Sequence, residues 1–194
     1  MKFDLPTARI RIGLQATDTS RDEELKSAID FALAVAEQYC DRRFLWKVEE
    51  STFYYTSASG YNLTRYPVSR IRSLTLGDNK SGIGSNRYKM HYAHGILLLD
   101  KALVSRQISI VYEGGYQDLP ADLVIALWGI FDVIWAQMQG GAAVAAGEID
   151  SITIPDVGTV RFNNKTADSS AGSSSNTIYG INFNLLDKYR RVEC

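Results

Sequence analysis

Cysteine is nearly absent: the 194-residue chain carries two, Cys40 and Cys194. Two thiols that far apart are neither a disulfide framework nor a zinc cluster, and a reduced intracellular protein is the simplest expectation. Histidine is equally scarce, with His91 and His94 alone. Their surroundings read as strand and turn, where residues three apart face opposite sides. No cysteine or acidic cluster stands near them, so no metal site is expected. An excess of one charge is also missing: 21 basic residues meet 22 acidic ones, for a net charge of −1. A general nucleic-acid binder would carry a basic excess. No apolar run reaches the roughly 20 residues of a spanning helix. The longest, Leu123 to Met138, is interrupted by Asp132, so no membrane partner is expected. Met1-Lys2-Phe3-Asp4-Leu5-Pro6 has no apolar run behind its charge, so no secretory signal is expected. What is present is ordinary globular material, 45% hydrophobic and 22% charged. The length suits one core, or one core with a smaller lobe.

Motifs for catalysis are missing as well. There is no Gly-x-Ser-x-Gly elbow. Gly82-Ile83-Gly84-Ser85 lacks the third glycine and the lysine of a phosphate loop, and reads as a hairpin loop. Glu49 and Glu50 are adjacent in a strand-like segment, so they point to opposite faces and share no substrate. Cys40 sits at a helix C-terminal end beside Asp41, where nothing lowers a thiol pKa. No enzyme and no cofactor are expected.

Periodicity gives the architecture. Ile10-Arg11-Ile12, inside an N-terminal stretch 1–17, alternates like a short strand or extended arm. Ser20-Arg21-Asp22-Glu23 has the form of a capping box, with acids suited to a helix N-terminus. Leu25, Ala28, Ile29, Ala32, Val35, Ala36 and Tyr39 then form one stripe, which predicts a helix over 20–41. Short strand-like runs separated by turns fill 45–113 and predict a small antiparallel sheet. A second helix opens at Asp118-Leu119-Pro120-Ala121-Asp122 and runs to about Gln139 before Gly140-Gly141. It is apolar on nearly every side, as a fully buried helix is, and an intersubunit face is the expected second burial surface. Ser151–Ile154 and Thr159–Phe162 read as extended pieces, and the Ser/Asn/Gly/Ala-rich segment 163–177 as a linker. Apolar residues then return as a terminal hook, which either folds back on its own domain or docks in a partner. The fold class is therefore α+β. A small helical core of two long helices and a short C-terminal helix carries an inserted antiparallel β lobe and an extended C-terminal arm. The division expected is 1–140 for core and insertion, and 141–194 for arm, linker and hook.

Two features invite a partner. Asp132 lies within the apolar helix, and a buried lone carboxylate is costly. Its expected partner is Arg42, Arg43, Arg190 or Arg191 across a subunit interface lined by Trp128, Phe131, Asp132 and Trp135; the alternative is a solvent-facing helix edge. Tyrosines 54, 55, 61, 66, 88, 92 and 112 fall in the sheet region among Arg65, Arg70, Arg72, Arg87 and Lys89. That mixture fits single-strand stacking, or simply a solvated sheet face.

The order of these landmarks carries a resemblance. Tyr39-Cys40-Asp41-Arg42-Arg43-Phe44 ends the first helix. Arg65-Tyr66-Pro67-Val68 and Gly95-Ile96-Leu97-Leu98-Leu99 follow, then Ile108 to Tyr116 with Gly114-Gly115, then Leu119-Pro120-Ala121-Asp122-Leu123, and finally Leu185-Leu186-Asp187-Lys188-Tyr189-Arg190-Arg191. The sequence resembles the head–tail connector (adaptor) proteins of tailed bacteriophages over most of 20–139 and the last ten residues. The resemblance implies a non-enzymatic virion protein of the neck, made in the bacterial host cytoplasm. It implies a dodecameric ring beneath the portal protein, with DNA passing through the lumen without sequence-specific binding and a stopper or tail protein below. It also implies that the C-terminal segment reaches the portal, through Ile181, Phe183, Leu185, Leu186, Lys188, Tyr189, Arg190 and Arg191. The alternatives are another neck component (a stopper or tail-completion protein) and a nucleic-acid-binding module built on the tyrosine-rich sheet.

Overall fold

The computed structural model describes residues 2–56, 60–77, 81–103, 106–139, 151–154, 158–161, 177–178 and 181–191. The fold is α+β, as the periodicities require. The chain forms two compact units, Met1–Cys40 with Pro120–Arg190 and Asp41–Leu119 with Arg191–Cys194.

The first unit is helical. Its opening segment is a helix, α1 (Leu5–Arg11), and not the extended arm suggested by Ile10-Arg11-Ile12. Three alternating residues are too few to set a period, and the local capping chemistry decides instead. Asp4 is extended, and its carboxylate accepts the Thr7 backbone N–H at 3.0 Å, while Pro6 fits the first turn without losing a hydrogen bond. Asp4→Ala is expected to lower stability by about 1 kcal/mol, read as a shift in the urea midpoint with an unchanged slope. Phe3 meets Trp128 edge to face at 4.7 Å. Arg9 grips Asp22 through Nε at 2.8 Å and through its terminal nitrogen, tying α1 to the start of the next helix.

That helix, α2, spans Asp22–Cys40. It begins later than the capping box needs. The Leu25 N–H bonds the Arg21 carbonyl, while the Ser20 N–H donates to Asp18 at 2.9 Å. Leu25, Ala28, Ala32 and Ala36 are fully buried on the predicted stripe. Helix α3 (Ala121–Met138) packs along α2. Its buried side chains include Leu123, Leu127, Trp128 and Phe131. It is long and apolar enough to cross a membrane by length and composition, yet 44% of that window is buried in the protein. The expectation of burial on every side is not met. Ile125 and Asp132 are exposed, because so small a helical unit covers α3 on one side.

The second unit is the β insertion. It holds two three-stranded sheets where one was expected. In the first, β1 (Lys47–Tyr54), β3 (Val68–Leu76) and β6 (Gln107–Gly114) are antiparallel, with the last strand in the middle. Ile108, Ile110 and Tyr112 alternate along β6 and face inward, fully buried. In the second, β2 (Tyr61–Asn62), β4 (Tyr88–His91) and β5 (Ile96–Leu99) run in the order β2-β5-β4. Leu63, Leu97, Leu99, Leu103 and Ile83 join β6 in one apolar cluster. Ile83 thus makes part of the Gly82–Ser85 loop a buried anchor: its N–H bonds the Leu74 carbonyl at 2.8 Å.

Beyond α3, β7 (Ser151–Ile154) pairs with β8 (Gly158–Arg161), as the extended pieces predicted. A further pair joins β9 (Thr177–Ile178) to β10 (Ile181–Asn182). Of the expected linker over 163–177, residues 163–176 lie outside the described residues, as does the stretch 141–147, while Thr177 opens β9. The chain then forms two short 3-10 helices, Phe183–Leu185 and Asp187–Tyr189, where the short C-terminal helix was expected.

Candidate functional site

The terminal segment folds onto its own helical unit. Phe183 stacks on Tyr39 with ring centroids 4.5 Å apart. The Leu186 carbonyl accepts the buried Cys40 thiol at 3.6 Å, and the Leu186 side chain has 0% exposure. The Tyr189 hydroxyl donates to the Asp122 carboxylate at 2.8 Å, and Lys188 forms an ion pair with the same carboxylate. Tyr39 donates its hydroxyl to Asp187, and Arg190 lies over the Tyr39 ring at 5.4 Å. Of the eight tail residues, Phe183, Leu186 and Tyr189 are therefore spent on the chain's own core and are not free apolar anchors. Leu185, Lys188 and Arg190 face outward. Arg191 belongs to the sheet unit, where it holds Asp41 at 3.1 Å and the Asn62 carbonyl at 2.8 Å. The backbone of Ile181 is in β10, and its side chain lies outside the described residues.

Asp122 is the hinge of this arrangement. The Lys188 ammonium, and then the Tyr189 hydroxyl, hold its carboxyl below the ordinary value. A depressed carboxylate contributes stability in full above about pH 4, and that contribution is lost as the pH falls through the folded-state pKa. Protection of the 183–190 amides, relative to the intrinsic exchange rate at each pH, is therefore expected to fall on acidification below about pH 4. Asp122→Asn should exchange fast at neutral pH and lose the acid step.

The proposed interface residues separate into two groups. Trp128 and Phe131 are buried within the helical unit, edge to face at 5.1 Å. Trp135 stacks on Phe131 and carries the Arg21 guanidinium over its ring at 4.5 Å. Asp132 does have a basic partner, but it is Arg11, through Nε at 2.6 Å and a terminal nitrogen at 2.5 Å. Reading α1 as an extended arm hid this partner. The carboxylate raises the Arg11 pKa further.

Arg42, expected to reach Asp132, lies in the sheet unit and is 5% exposed. Its guanidinium sits over Tyr66 at 3.5 Å, with Phe44 and Tyr116 at 5.3 and 5.4 Å, and it donates to the Tyr66 carbonyl. Three sequence landmarks meet here. The Arg43 N–H bonds the Thr64 carbonyl at 2.8 Å, the Tyr116 N–H bonds the Phe44 carbonyl at 2.7 Å, and the Gly115 N–H bonds the Pro67 carbonyl at 2.9 Å. A β-carbon on Gly114 would stand 2.4 Å from the Arg65 carbonyl oxygen. Beside this corner, Glu49 pairs with Arg65 at 2.8 Å and accepts the Thr64 hydroxyl at 2.7 Å. Tyr112 closes that network, and burial pushes its hydroxyl pKa up. Glu49 is thus a structural acid with no bond to Glu50 in the network.

His91 ends β4 and His94 follows in the turn, both exposed. Among the described residues, no group of three His, Cys, Asp or Glu side chains gathers to hold a metal.

The chain matches, over 98% of its length, a protein in the neck of an empty gene transfer agent (GTA) particle, a phage-like particle. That match has a TM-score of 0.60 and 14% identity and spans 90% of the other chain. A second match, to the neck of the native GTA particle computed with C12 symmetry, has a TM-score of 0.55 and 16% identity over the same shares. The chain has a neck-protein fold. The likeness shows the fold of the chain. No family model matches the sequence, and no curated protein does.

Proposed function

We propose that this chain is a non-enzymatic structural subunit of the neck of a tailed, phage-like particle, and specifically its head-to-tail adaptor. The observation that carries the reading is the full-length likeness to neck proteins, in particles reconstructed with sixfold and twelvefold symmetry. Twelve copies form a ring beneath the portal protein, a stopper or tail protein attaches below, and DNA passes through the lumen without sequence-specific contacts. The near-neutral charge suits a channel wall that does not grip DNA. The portal contact is made by the outward members of the terminal segment, Leu185, Lys188 and Arg190. Phe183, Leu186 and Tyr189 hold that segment in place. The helix-dominated first unit favours adaptor over stopper, since stopper proteins are sheet-dominated. The subunit is made in the host cytoplasm and works in the virion. Cryo-electron microscopy of the head–tail junction of its own particle tests this: density for both units is expected in a ring directly under the portal. A junction built entirely from other chains overturns it.

A further inference from the structure

We infer that the outward face of α3 is the surface through which one copy of this chain contacts the next, an inference that rests on the ring proposed above. Ile125, Gly129 and Asp132 succeed each other on this face at steps of four and three, and all are exposed. Ile125 is 58% exposed and Ile10, at the end of α1, is 62% exposed; they are the two most exposed large aliphatic side chains among the described residues. Arg11, the neighbour of Ile10, holds both Asp132 oxygens, so the charge on this face is neutralised within the chain. A nucleic acid would need cations not already paired. A protein surface of the same apolar character does not.

Gly129 points to close approach. Glycine in a helix interior is unfavourable relative to alanine. Yet a β-carbon built at Gly129 meets nothing within 4 Å, so the chain's own packing does not require its absence. An incoming neighbour would use that space, with Ile125 beside it as the apolar contact. In a head-to-tail ring each copy presents two different surfaces, so this face need not be self-complementary. It replaces the buried Trp128 and Phe131 as the contact, and keeps Asp132 at its border.

The test is sedimentation velocity of the full-length protein over a concentration series, alone and with the portal ring of its particle, for wild type, Ile125→Arg and Gly129→Lys. The wild type is expected to form the larger species, alone or on the portal. Each variant should need at least about tenfold more protein to do so, equivalent to about 1.4 kcal/mol of contact. Both variants should melt with the wild type or, for Gly129→Lys, above it, showing that the subunit is intact. Variants that assemble at the wild-type concentration overturn the α3 contact while the ring stands. A wild type that remains monomeric in both settings overturns the ring, and this contact with it.

Discussion

Leu186→Ala is expected to destabilise the helical unit by about 3 kcal/mol, within the range of buried leucine truncations. The residue lies near the end of the chain, where most substitutions cost little. Here the side chain has no exposure, and its backbone carbonyl lies against the Cys40 thiol at the end of α2. Removing the isobutyl group opens a cavity behind Phe183 and Tyr189, which are anchored to Tyr39 and Asp122. For a chain of this size the loss corresponds to a melting shift of about 10 °C. Leu185→Ala, one residue earlier and facing outward, should be within about 0.5 kcal/mol of wild type. Equal effects at the two positions would mean that the segment is not docked as described. The pair also separates stability from portal binding: Leu185→Ala is the variant expected to weaken the portal complex while leaving the melt unchanged.

Gly115→Ala is expected to cost the sheet unit a further large amount, about 3 kcal/mol, from two causes that act together. The residue has φ of +94°, where an L side chain is strained. Its β-carbon would also stand 2.5 Å from the Leu45 carbonyl oxygen and 2.8 Å from that of Phe44. Those neighbours are backbone and cannot swing aside, so the clash displaces the segment that carries Phe44 and, with it, the aromatic nest around Arg42. Gly13, with φ of +85° and nothing within 4 Å of a built β-carbon, is the control. Gly13→Ala should show the conformational penalty alone, about 1 kcal/mol. Equilibrium unfolding in urea measures both, and equal losses would contradict the close approach at Gly115.

The parts of the fold with a long period were legible. The stripe from Leu25 to Tyr39, the apolar run from Leu123 and the strand-like segments between them each repeat often enough for burial to set the structure. Helix α1 was not legible by period, because its seven residues turn on Asp4 and Pro6. That single misreading cost the site its key ion pair: with Arg11 placed on an arm, Asp132 had no local cation, and a subunit partner took its place. The capping box failed for a related reason, since Asp18 competes for the Ser20 N–H and moves the helix start along the chain. The meeting of Arg42, Tyr66 and Gly115 joins residues far apart in sequence, and no local pattern encodes such a corner. The order of the same landmarks, however, was enough to point to the fold of a neck protein. The C-terminal hook left two readings open, because apolar residues mark burial without saying whose surface buries them.

The central claim is that this chain is the ring subunit seated on the portal. Native mass spectrometry of the full-length protein mixed with the intact portal ring from its own particle tests it most directly. The account predicts a complex with one copy bound per portal subunit, weakened by Leu185→Ala. An intact portal ring that takes up no copies would contradict it.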